Sequence, residues 1–491
     1  MEHFDVLIVG AGLSGIGAAY YLQTQHPGKR YAILESRSEI GGTWSLFQYP
    51  GIRSDSDMYT FGYSFRPWTG AKAIADGSSI LGYLRDTARE YGIDGHIRFE
   101  QRVVCASWSS SDARWLVEVE SGAARETTHY SCRFFYVCGG YYDYDNGYTP
   151  DFPGREKFQG RIVHPQHWPQ DLAYAGRHVV VIGSGATAVT LVPAMAREAA
   201  HVTMLQRSPS YVTALPAKDA IASLLRKVLP LPLAYRIART KVILVTIFFY
   251  QLSRRFPEIV KRLIREGQKK RLPADYDIDT HFKPSYNPWD QRVCVVPDGD
   301  LFNAIKDGRA SIVTEHIDEF TEEGIRLKSG RTLRADIIVS ATGLKLKAFG
   351  GIRFSVDDKA IDLSKAYTYN GVMLGNVPNL AFCVGYGNAS WTLRADLSSM
   401  FVCRLLGYMD KHGFRQVLPG ADDQALQPPL PLLSFNSGYV LRAVDEFPKQ
   451  SRKAPWKLRQ NYLLDLLNLR LRAIEDGTLV FSGSGRGTTA E

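Results

Sequence analysis

Two charged residues and an aromatic loop form the first group in this sequence that could do chemistry. Residues 41–55 contain two glycines that allow close backbone approach, several aromatic rings and a Pro-Gly turn. The turn delivers Arg53 and Asp55 together, and the flat apolar side chains suit a planar ring system. Arg292 begins a predicted strand after another aromatic turn. Taken alone, an ordinary aromatic turn and a surface arginine are the alternatives.

A glycine-rich turn near the start of the chain indicates which ring system the loop would hold. The pattern G-x-G-x-x-G occupies residues 10–15 between a predicted strand and a predicted helix, and the next predicted strand ends on Glu35. The glycines allow a pyrophosphate to sit on the helix N-terminus, and Glu35 can accept hydrogen bonds from a ribose. An acidic residue at this place favours FAD or NAD and disfavours NADP. Val103, in a later strand, could pair with an adenine edge or be a plain sheet residue.

A second unit of the same kind has the opposite charge at its strand end. Residues 179–182 predict a strand, and residues 183–188 form a glycine-rich turn with Ala188 at the third glycine position. After the following helix and strand come Arg207 and Ser208. A guanidinium and a hydroxyl there suit the 2′-phosphate of NADPH. The paired units therefore predict FAD and NADPH in one chain.

The two units predict an α/β fold with two Rossmann-like dinucleotide-binding domains, one for FAD and one for NADPH. The predicted boundaries are 1–146 for the first part of the FAD-binding domain, 147–371 for the NADPH-binding domain and 372–491 for the return part of the FAD-binding domain. Residues 216–285 are helical, basic and interrupted by prolines, which predicts a helical insertion in the NADPH-binding domain.

The net charge of +9 on 491 residues is local. Residues 226–271 hold thirteen Lys and Arg against two acids, so the rest of the chain is slightly acidic. This distribution argues against a nucleic-acid partner. The same segment contains the apolar run 242–249, which is far short of the ~20 residues of a membrane-spanning helix. We expect a buried helix there, and weak contact of residues 226–271 with a membrane surface is the alternative.

The six cysteines form no C-x-x-C pair and no cluster with metal-ligand spacing. They predict free thiols, no metal site and a reducing compartment. A flavin disulfide reductase would share the paired nucleotide units, but it needs a redox-active cysteine pair. The first residues lack the pattern of a signal peptide, so we expect a cytoplasmic protein.

With these motifs in place, the chain resembles the class B flavoprotein monooxygenases and, within them, the Baeyer–Villiger monooxygenases. The family fingerprint F-x-G-x-x-x-H-x-x-x-W-P is completed by Phe158, Gly160, His164, Trp168 and Pro169. Residues 41–55 complete a second, longer fingerprint. Related N- and S-oxidising enzymes lack the tryptophan, so Trp168 favours the Baeyer–Villiger branch. Residues 49–65, 287–292 and 388–393 are most similar to the mycobacterial, ethionamide-activating members.

The first glycine motif and the resemblance together imply a set of site residues. FAD would be bound by Gly10, Gly12, Ser14, Gly15, Glu35, Thr43, Trp44, Ser45, Leu46, Asp55 and Val103. NADPH would be bound by Arg53, Ser54, Gly183, Ser184, Gly185, Ala186, Thr187, Ala188, Val189, Arg207 and Ser208. Arg292 would be the catalytic cation and Asp55 its charged partner. His164 is interpreted as a structural residue at a domain linker and not as a general base.

The resemblance also implies an NADPH- and O₂-dependent monooxygenase that converts ketones to esters or lactones through a flavin C4a-peroxide and oxidises sulfides or thioamides. Arg292 would stabilise the negative charge that develops on oxygen during that reaction. Gln291 stands where better-known ketone oxidisers have lysine, so substrate range and coenzyme binding stay open there. The alternatives are an N-hydroxylating or purely S-oxidising flavin monooxygenase, or a membrane-surface protein with a degenerate flavin fold.

Overall fold

The computed structural model describes residues 1–433 and 436–483. Within these residues, no helix is long and apolar enough to cross a membrane. The α-helices, in chain order, are α1 (Leu13–Gln25), α2 (Thr43–Leu46), α3 (Met58–Phe61), α4 (Gly77–Glu90), α5 (Ala186–Met195), α6 (Ala220–Val228), α7 (Leu231–Arg255), α8 (Pro257–Lys269), α9 (Ile278–Phe282), α10 (Asp300–Lys306), α11 (Trp391–His412), α12 (Gly438–Leu441) and α13 (Tyr462–Leu466).

The strands belong to two large sheets and several small ones. In chain order they are β1 (Glu2–Val9), β2 (Tyr31–Leu34), β3 (Ile97–Arg98), β4 (Gln101–Ser109), β5 (Arg114–Ser121), β6 (Glu126–Val137), β7 (Tyr142–Gly147), β8 (Arg161–Val163), β9 (His178–Ile182), β10 (His201–Gln206), β11 (Val212–Leu215), β12 (Cys294–Pro297), β13 (Ala310–Thr314), β14 (Ile317–Thr321), β15 (Gly324–Leu327), β16 (Thr332–Arg334), β17 (Ile337–Ser340), β18 (Leu344–Leu346), β19 (Arg353–Val356), β20 (Lys359–Ala360), β21 (Thr368–Tyr369), β22 (Met373–Leu374), β23 (Leu380–Phe382), β24 (Gln416–Pro419), β25 (Leu430–Pro431), β26 (Lys449–Gln450) and β27 (Leu479–Ser482).

The first large sheet has eleven strands and is built around β1. β1 lies parallel between β2 and β6, with Val6 opposite Tyr31 and Phe134. β4, β5 and β6 form an antiparallel meander, and β23 pairs parallel to β6. The carboxyl ends of β1 and β2 therefore meet at one edge, where the chain continues into Gly10 and Glu35.

The second large sheet has five parallel strands in the order β13-β10-β9-β17-β8. β9 and β10 end side by side, immediately before Gly183 and Arg207. The two sheets, each with a glycine turn at its carboxyl edge, confirm the prediction of an α/β fold with two Rossmann-like units. β19 pairs with β4 of the first sheet, so the chain has returned there by residue 353. This return comes before the boundary predicted at residue 371.

The helical segment α6 to α9 lies between β11 and β12, as predicted for an insertion, but α7 packs on the first unit. Buried Arg239 on α7 donates hydrogen bonds to the carbonyl oxygens of Tyr59 (2.8 Å) and Gly62 (2.7 Å) at α3. Its other terminal nitrogen lies 3.3 Å from Asp396 on α11. Because these acceptors belong to the first unit, the insertion joins the two units.

The expectation of a buried helix over residues 242–249 is wrong. Of this run, Ile243 is buried, whereas Leu244, Val245, Phe248 and Phe249 are exposed. The reason is positional, because α7 already turns its Ala234, Tyr235, Ala238 and Arg239 side toward the first unit. The opposite side of the same helix has no described element packed over it.

Candidate active site

A cavity of about 430 Å³ opens at the carboxyl edge of the first sheet. The predicted site residues that line it are Gly10, Gly12, Ser14, Glu35, Thr43, Trp44, Leu46, Ser54, Asp55, Val103 and Arg292. Two predicted residues lie behind this wall. Gly15 packs inside α1, and buried Ser45 donates a hydrogen bond of 3.2 Å to the Gly42 carbonyl oxygen. The structure thus brings most of the predicted flavin residues and the predicted cation to one cavity.

The first glycine turn brings strand and helix unusually close. Gly10 has φ of +97°, a conformation that favours glycine. A Cβ on Gly15 would lie 1.8 Å from the Gly10 carbonyl oxygen, so only glycine fits there. Gly12 caps α1 without a side-chain hydrogen bond to the helix N-terminus. The first N–H groups of α1 are therefore available to an anion such as a pyrophosphate.

Glu35 is the acidic residue at the end of β2, and it is only 5% exposed. Its Oε2 accepts a hydrogen bond from the Ala11 N–H (2.7 Å), and its Oε1 accepts one from the Arg37 N–H (2.9 Å). Burial raises the pKa of Glu35, and the two backbone donors act in the opposite direction. A carboxylate can accept about four hydrogen bonds, so acceptor positions remain for a ribose diol. The glycine turn and Glu35 fit the adenosine diphosphate half of FAD.

Arg292 and Asp55 form an ion pair at another part of the cavity wall, with Nη1 and Oδ2 separated by 2.8 Å. The Arg292 side chain is 32% exposed because it faces the cavity, while its Nε is buried and has no partner in the described part of the chain. Burial acts to lower the pKa of Arg292, but Asp55 and nearby tyrosines act the other way, and the pKa lies well above its usual value. The cavity wall therefore presents a charged guanidinium that is held in place by a carboxylate.

Aromatic side chains line the same cavity as this charged pair. The Trp391 Nε1–H donates a hydrogen bond of 2.8 Å to the Ser14 hydroxyl, which ties the start of α11 to the first glycine turn. The Trp44 ring meets Phe61 edge to face with 5.4 Å between centroids, and Tyr141 lies 5.2 Å from Trp391. All five residues line the cavity. Flat apolar walls beside a glycine turn fit the isoalloxazine half of FAD.

The residues predicted for NADPH form a second, more open group. Gly183 follows β9 with φ of +138°, and the Ser184 hydroxyl donates a hydrogen bond of 3.1 Å to the Ser208 carbonyl oxygen. The glycine turn and the end of β10 are therefore in contact. Gly185, Ala186, Arg207 and Ser208 are exposed, Thr187 is half-buried, and Ala188 and Val189 belong to the core. The exposed members fit a nucleotide that binds from outside.

Arg53 contacts a carboxylate in the structure. Its guanidinium makes two hydrogen bonds to Asp300, of 2.5 and 3.3 Å, at the first turn of α10. Arg53 belongs to the loop of the first unit, while α10 packs beside α5 of the second. The ion pair thus bridges the units, two residues before Asp55. A contact of Arg53 with NADPH stays a prediction.

His164 lies between the two segments that connect the units. Its Nε2 is 3.3 Å from the Gly343 carbonyl oxygen, and its Nδ1 accepts a hydrogen bond of 3.2 Å from the Gln166 N–H. A Cβ on Gly147 would lie 2.1 Å from the ring, so the first connection also packs against it. Burial lowers the pKa of His164. A neutral imidazole with both nitrogens engaged is consistent with a structural role.

Several cavity residues were missed by the sequence predictions. Lys347, Tyr142 and Tyr144 come from the connecting segments, and Tyr386 precedes α11 and donates a hydrogen bond of 2.8 Å to Asp465. Tyr141, Tyr142 and Tyr144 lie just before the predicted domain boundary at residue 146, and the sequence predictions gave them no role in the site. Three large rings within four residues were the available signal, because large aromatic side chains are seldom fully exposed in a linker.

A cavity bounded by one dinucleotide unit, with a second unit beside it, defines a two-nucleotide flavoprotein oxidoreductase. The chain belongs to the flavin-binding monooxygenase-like family, which matches residues 71–370. An NAD(P)-binding Rossmann-like domain matches residues 8–73. The predictions of a flavoprotein monooxygenase with FAD and NADPH as cofactors are confirmed.

Two related monooxygenases match this chain over nearly the whole of both lengths. The FAD-containing monooxygenase EthA of Mycobacterium tuberculosis (strain H37Rv) is 52% identical over 485 residues, 98% of both chains. The probable FAD-binding monooxygenase AlmA of Acinetobacter baylyi is 49% identical and covers 98% of this chain and 96% of its own. Among solved structures, a steroid monooxygenase bound to NADP has a TM-score of 0.72 at 23% identity, covering 86% of this chain and 89% of its own. The open form of cyclohexanone monooxygenase has a TM-score of 0.73 at 20% identity, covering 87% and 91%. The predicted similarity to mycobacterial monooxygenases is confirmed.

Proposed function

We propose that this monooxygenase uses NADPH and O₂ to oxidise ketones to esters or lactones by a Baeyer–Villiger reaction, and that it also oxidises sulfur in sulfides and thioamides. The single observation that carries the proposal is the Arg292–Asp55 ion pair in the wall of the flavin cavity. Insertion of oxygen beside a carbonyl needs a fixed positive charge where negative charge develops on oxygen.

When bound, FAD would accept electrons from NADPH and supply the site at which O₂ is activated. The chain supplies position and charge. Arg292 would stabilise the charge that develops on the carbonyl oxygen of a ketone, and Asp55 would hold the guanidinium in place through their hydrogen bond of 2.8 Å. Because an arginine remains charged at every physiological pH, this cation needs no proton transfer to act.

The cavity walls would keep water from the reacting atoms. Trp44, Phe61 and Trp391 present apolar rings on the cavity surface, and Trp391 is fixed by its hydrogen bond to Ser14. An enclosure of this kind strengthens the interaction between Arg292 and a developing oxyanion, because fewer water dipoles screen it.

The two nucleotides would be distinguished by charge. Buried Glu35 would accept hydrogen bonds from the ribose of FAD, and Arg207 with Ser208 would bind the 2′-phosphate of NADPH. The alternative functions, N-hydroxylation or S-oxidation alone, would use the same cofactor-binding residues, so they must be separated by the products.

Conversion of cyclic and linear ketones, aryl sulfides, thioamides and primary amines would be measured with NADPH, counting product per NADPH oxidised. We expect esters or lactones from at least one ketone class and sulfoxides from the sulfides. Coupled oxidation of sulfur without any ester, or hydroxylamine from the amines, would contradict the Baeyer–Villiger proposal in favour of one of the alternatives.

Arg292→Ala tests the role of the cation. We expect the variant to retain FAD and its reduction by NADPH, and to lose ester or sulfoxide product by a factor on the order of 10²–10³, as removal of one oxyanion donor does. NADPH oxidation would then yield hydrogen peroxide. Stopped-flow spectra of flavin reduction, together with product counts, measure both halves of the reaction.

Asp55→Ala and Arg334→Ala provide the comparisons. Asp55→Ala removes the support and leaves the cation, so a milder loss is expected, while exposed Arg334 on β16 should be silent. An Arg292→Ala enzyme that oxygenates ketones with wild-type coupling would show that Arg292 is a structural arginine.

A further inference from the structure

The outer side of the helical insertion is apolar. On α6, α7, α8 and the residue between the last two, large hydrophobic side chains are between 37% and 67% exposed. We call them the apolar face: Ile221, Leu224, Val228, Leu231, Leu233, Ile237, Leu244, Val245, Phe248, Phe249, Phe256, Ile259 and Leu263. Scattered hydrophobic residues are normal on a protein surface, but a concentration on three consecutive helices indicates an interaction site.

The spacing of these residues follows the helices. On α7, Leu233, Ile237, Leu244 and Phe248 recur at intervals of four and seven residues and therefore share one side. Ile221, Leu224 and Val228 share a side of α6 in the same way. Consecutive helices are in contact, α6 with α7 and α7 with α8. The apolar side chains thus belong to a continuous three-helix unit.

The inner side of this unit is firmly attached. Arg239 donates hydrogen bonds to three carbonyl oxygens of the α3 turn and contacts Asp396, and Tyr235 donates a hydrogen bond of 3.1 Å to the Tyr63 carbonyl oxygen. Breaking a buried, charged set of this kind is costly. The apolar face therefore cannot be covered by folding the helices back onto the protein.

The residues around the apolar face are basic. Residues 226–271 contain thirteen Lys and Arg against two acids. Among the described residues, seven of these cations form no ion pair: Arg226, which donates to the carbonyl oxygens of Thr69 and Gly70, and Lys227, Arg236, Arg255, Arg262, Lys270 and Arg271. An apolar helix surface bordered by free cations is complementary to anionic headgroups above an apolar layer.

We propose that the apolar face binds the surface of an anionic lipid bilayer. The apolar side chains would enter the boundary between headgroups and acyl chains, and the free cations would attract the headgroups. Charge decides against a second copy of this chain as the occupant, because two faces that each have a large positive excess would repel each other on contact.

Sedimentation of the full-length holoenzyme with vesicles tests the proposal. At low salt, vesicles of equimolar phosphatidylcholine and phosphatidylglycerol should bind the protein at least about tenfold more tightly than vesicles of phosphatidylcholine alone. Phe248→Ser with Phe249→Ser should weaken this binding about tenfold. Leu116→Ser on β5 removes a hydrophobic side chain that is 45% exposed from the first sheet and should have no effect. FAD content measured on each variant verifies the fold.

A charge variant gives an independent measurement. Arg255→Gln with Arg262→Gln should reduce binding to the anionic vesicles by about tenfold and reduce its salt dependence. Equal binding to both kinds of vesicle, or unchanged binding by the double phenylalanine variant, would overturn the proposal. Self-association that disappears with the phenylalanine variant, in the absence of vesicle binding, would assign the apolar face to a second copy and also overturn it.

Discussion

The two glycine-turn units share strand, turn and helix, but they differ in how their selective residues are held. Glu35 at the end of β2 is buried and receives hydrogen bonds from Ala11 and Arg37. Arg207, at the equivalent place after β10, is exposed. A buried, pre-oriented acceptor suits a cofactor that stays bound, whereas an exposed arginine suits one that exchanges in each turnover. The same fold can therefore provide a resident site and an exchange site.

The third position of each turn shows a second difference, and it gives the largest expected effect. Gly15→Ala would place a Cβ 1.8 Å from the Gly10 carbonyl oxygen, whereas Ala188 already has its Cβ in a fully packed place. Overpacking against backbone should destabilise Gly15→Ala by about 3 kcal/mol or more and release FAD. Thermal unfolding and bound flavin absorbance measure both.

The reverse substitution at the same position of the second unit, Ala188→Gly, is the matched control. Ala188→Gly creates no clash and should cost about 1 kcal/mol through helix propensity, with FAD retained. Equal losses in the two variants would show that the first turn is no tighter than the second, and the contrast between the units would have to be abandoned.

Arg207→Ala tests the difference between the residues that follow the two strands, Glu35 after β2 and Arg207 after β10. Loss of a charge-assisted hydrogen bond to the 2′-phosphate, worth ~1.5–3 kcal/mol, should raise KM for NADPH roughly ten- to a hundred-fold. KM for NADH should change little, and FAD content should not change. Steady-state kinetics with both coenzymes, with exposed Arg197→Ala as the control, make the measurement. A variant that keeps its preference for NADPH would show that the second unit selects the coenzyme elsewhere.

The smallest expected effect lies at the junction of the units. Because burial depresses the pKa of His164, its contribution to stability is present above its unfolded value, about 6.5, and is lost as pH falls below it. His164→Gln should therefore flatten the decline of unfolding free energy between about pH 7 and 5, by at most one proton's slope. Denaturant titrations across this range measure it. Identical slopes in both proteins would contradict a buried, neutral His164.

The elements governed by local rules were predictable from sequence. Strand β2 was predicted to end on Glu35, one residue beyond its observed end at Leu34, because a short apolar run between a turn and an acidic residue leaves little choice. The Glu35 and Arg207 ends followed from the same periodicity, since each is the first polar residue beyond a buried strand. The spacing also gave the glycine positions of both turns, while the nucleotide contacts of the residues within them stay predictions.

Features set by packing between distant segments were not predictable. An apolar run has the same composition whether its helix is covered or not, so the exposure of Phe248 depended on how α7 docks through Arg239. Lys347 and Tyr142 reach the cavity only because the connecting segments cross at its edge. No periodicity in the sequence records such a crossing, and the bond between Trp391 and Ser14 is equally invisible there.

The Arg53–Asp300 ion pair makes the position of Arg292 depend on the angle between the two glycine-turn units. Arg53 and Asp55 stand two residues apart on one loop, and their partners, Asp300 and Arg292, both lie on the chain of the second unit. A rotation that separated the units by a few ångströms would pull both pairs at once. Under the proposed mechanism, opening of the angle between the units would therefore withdraw the Arg292 charge from the cavity and lower the rate of oxidation.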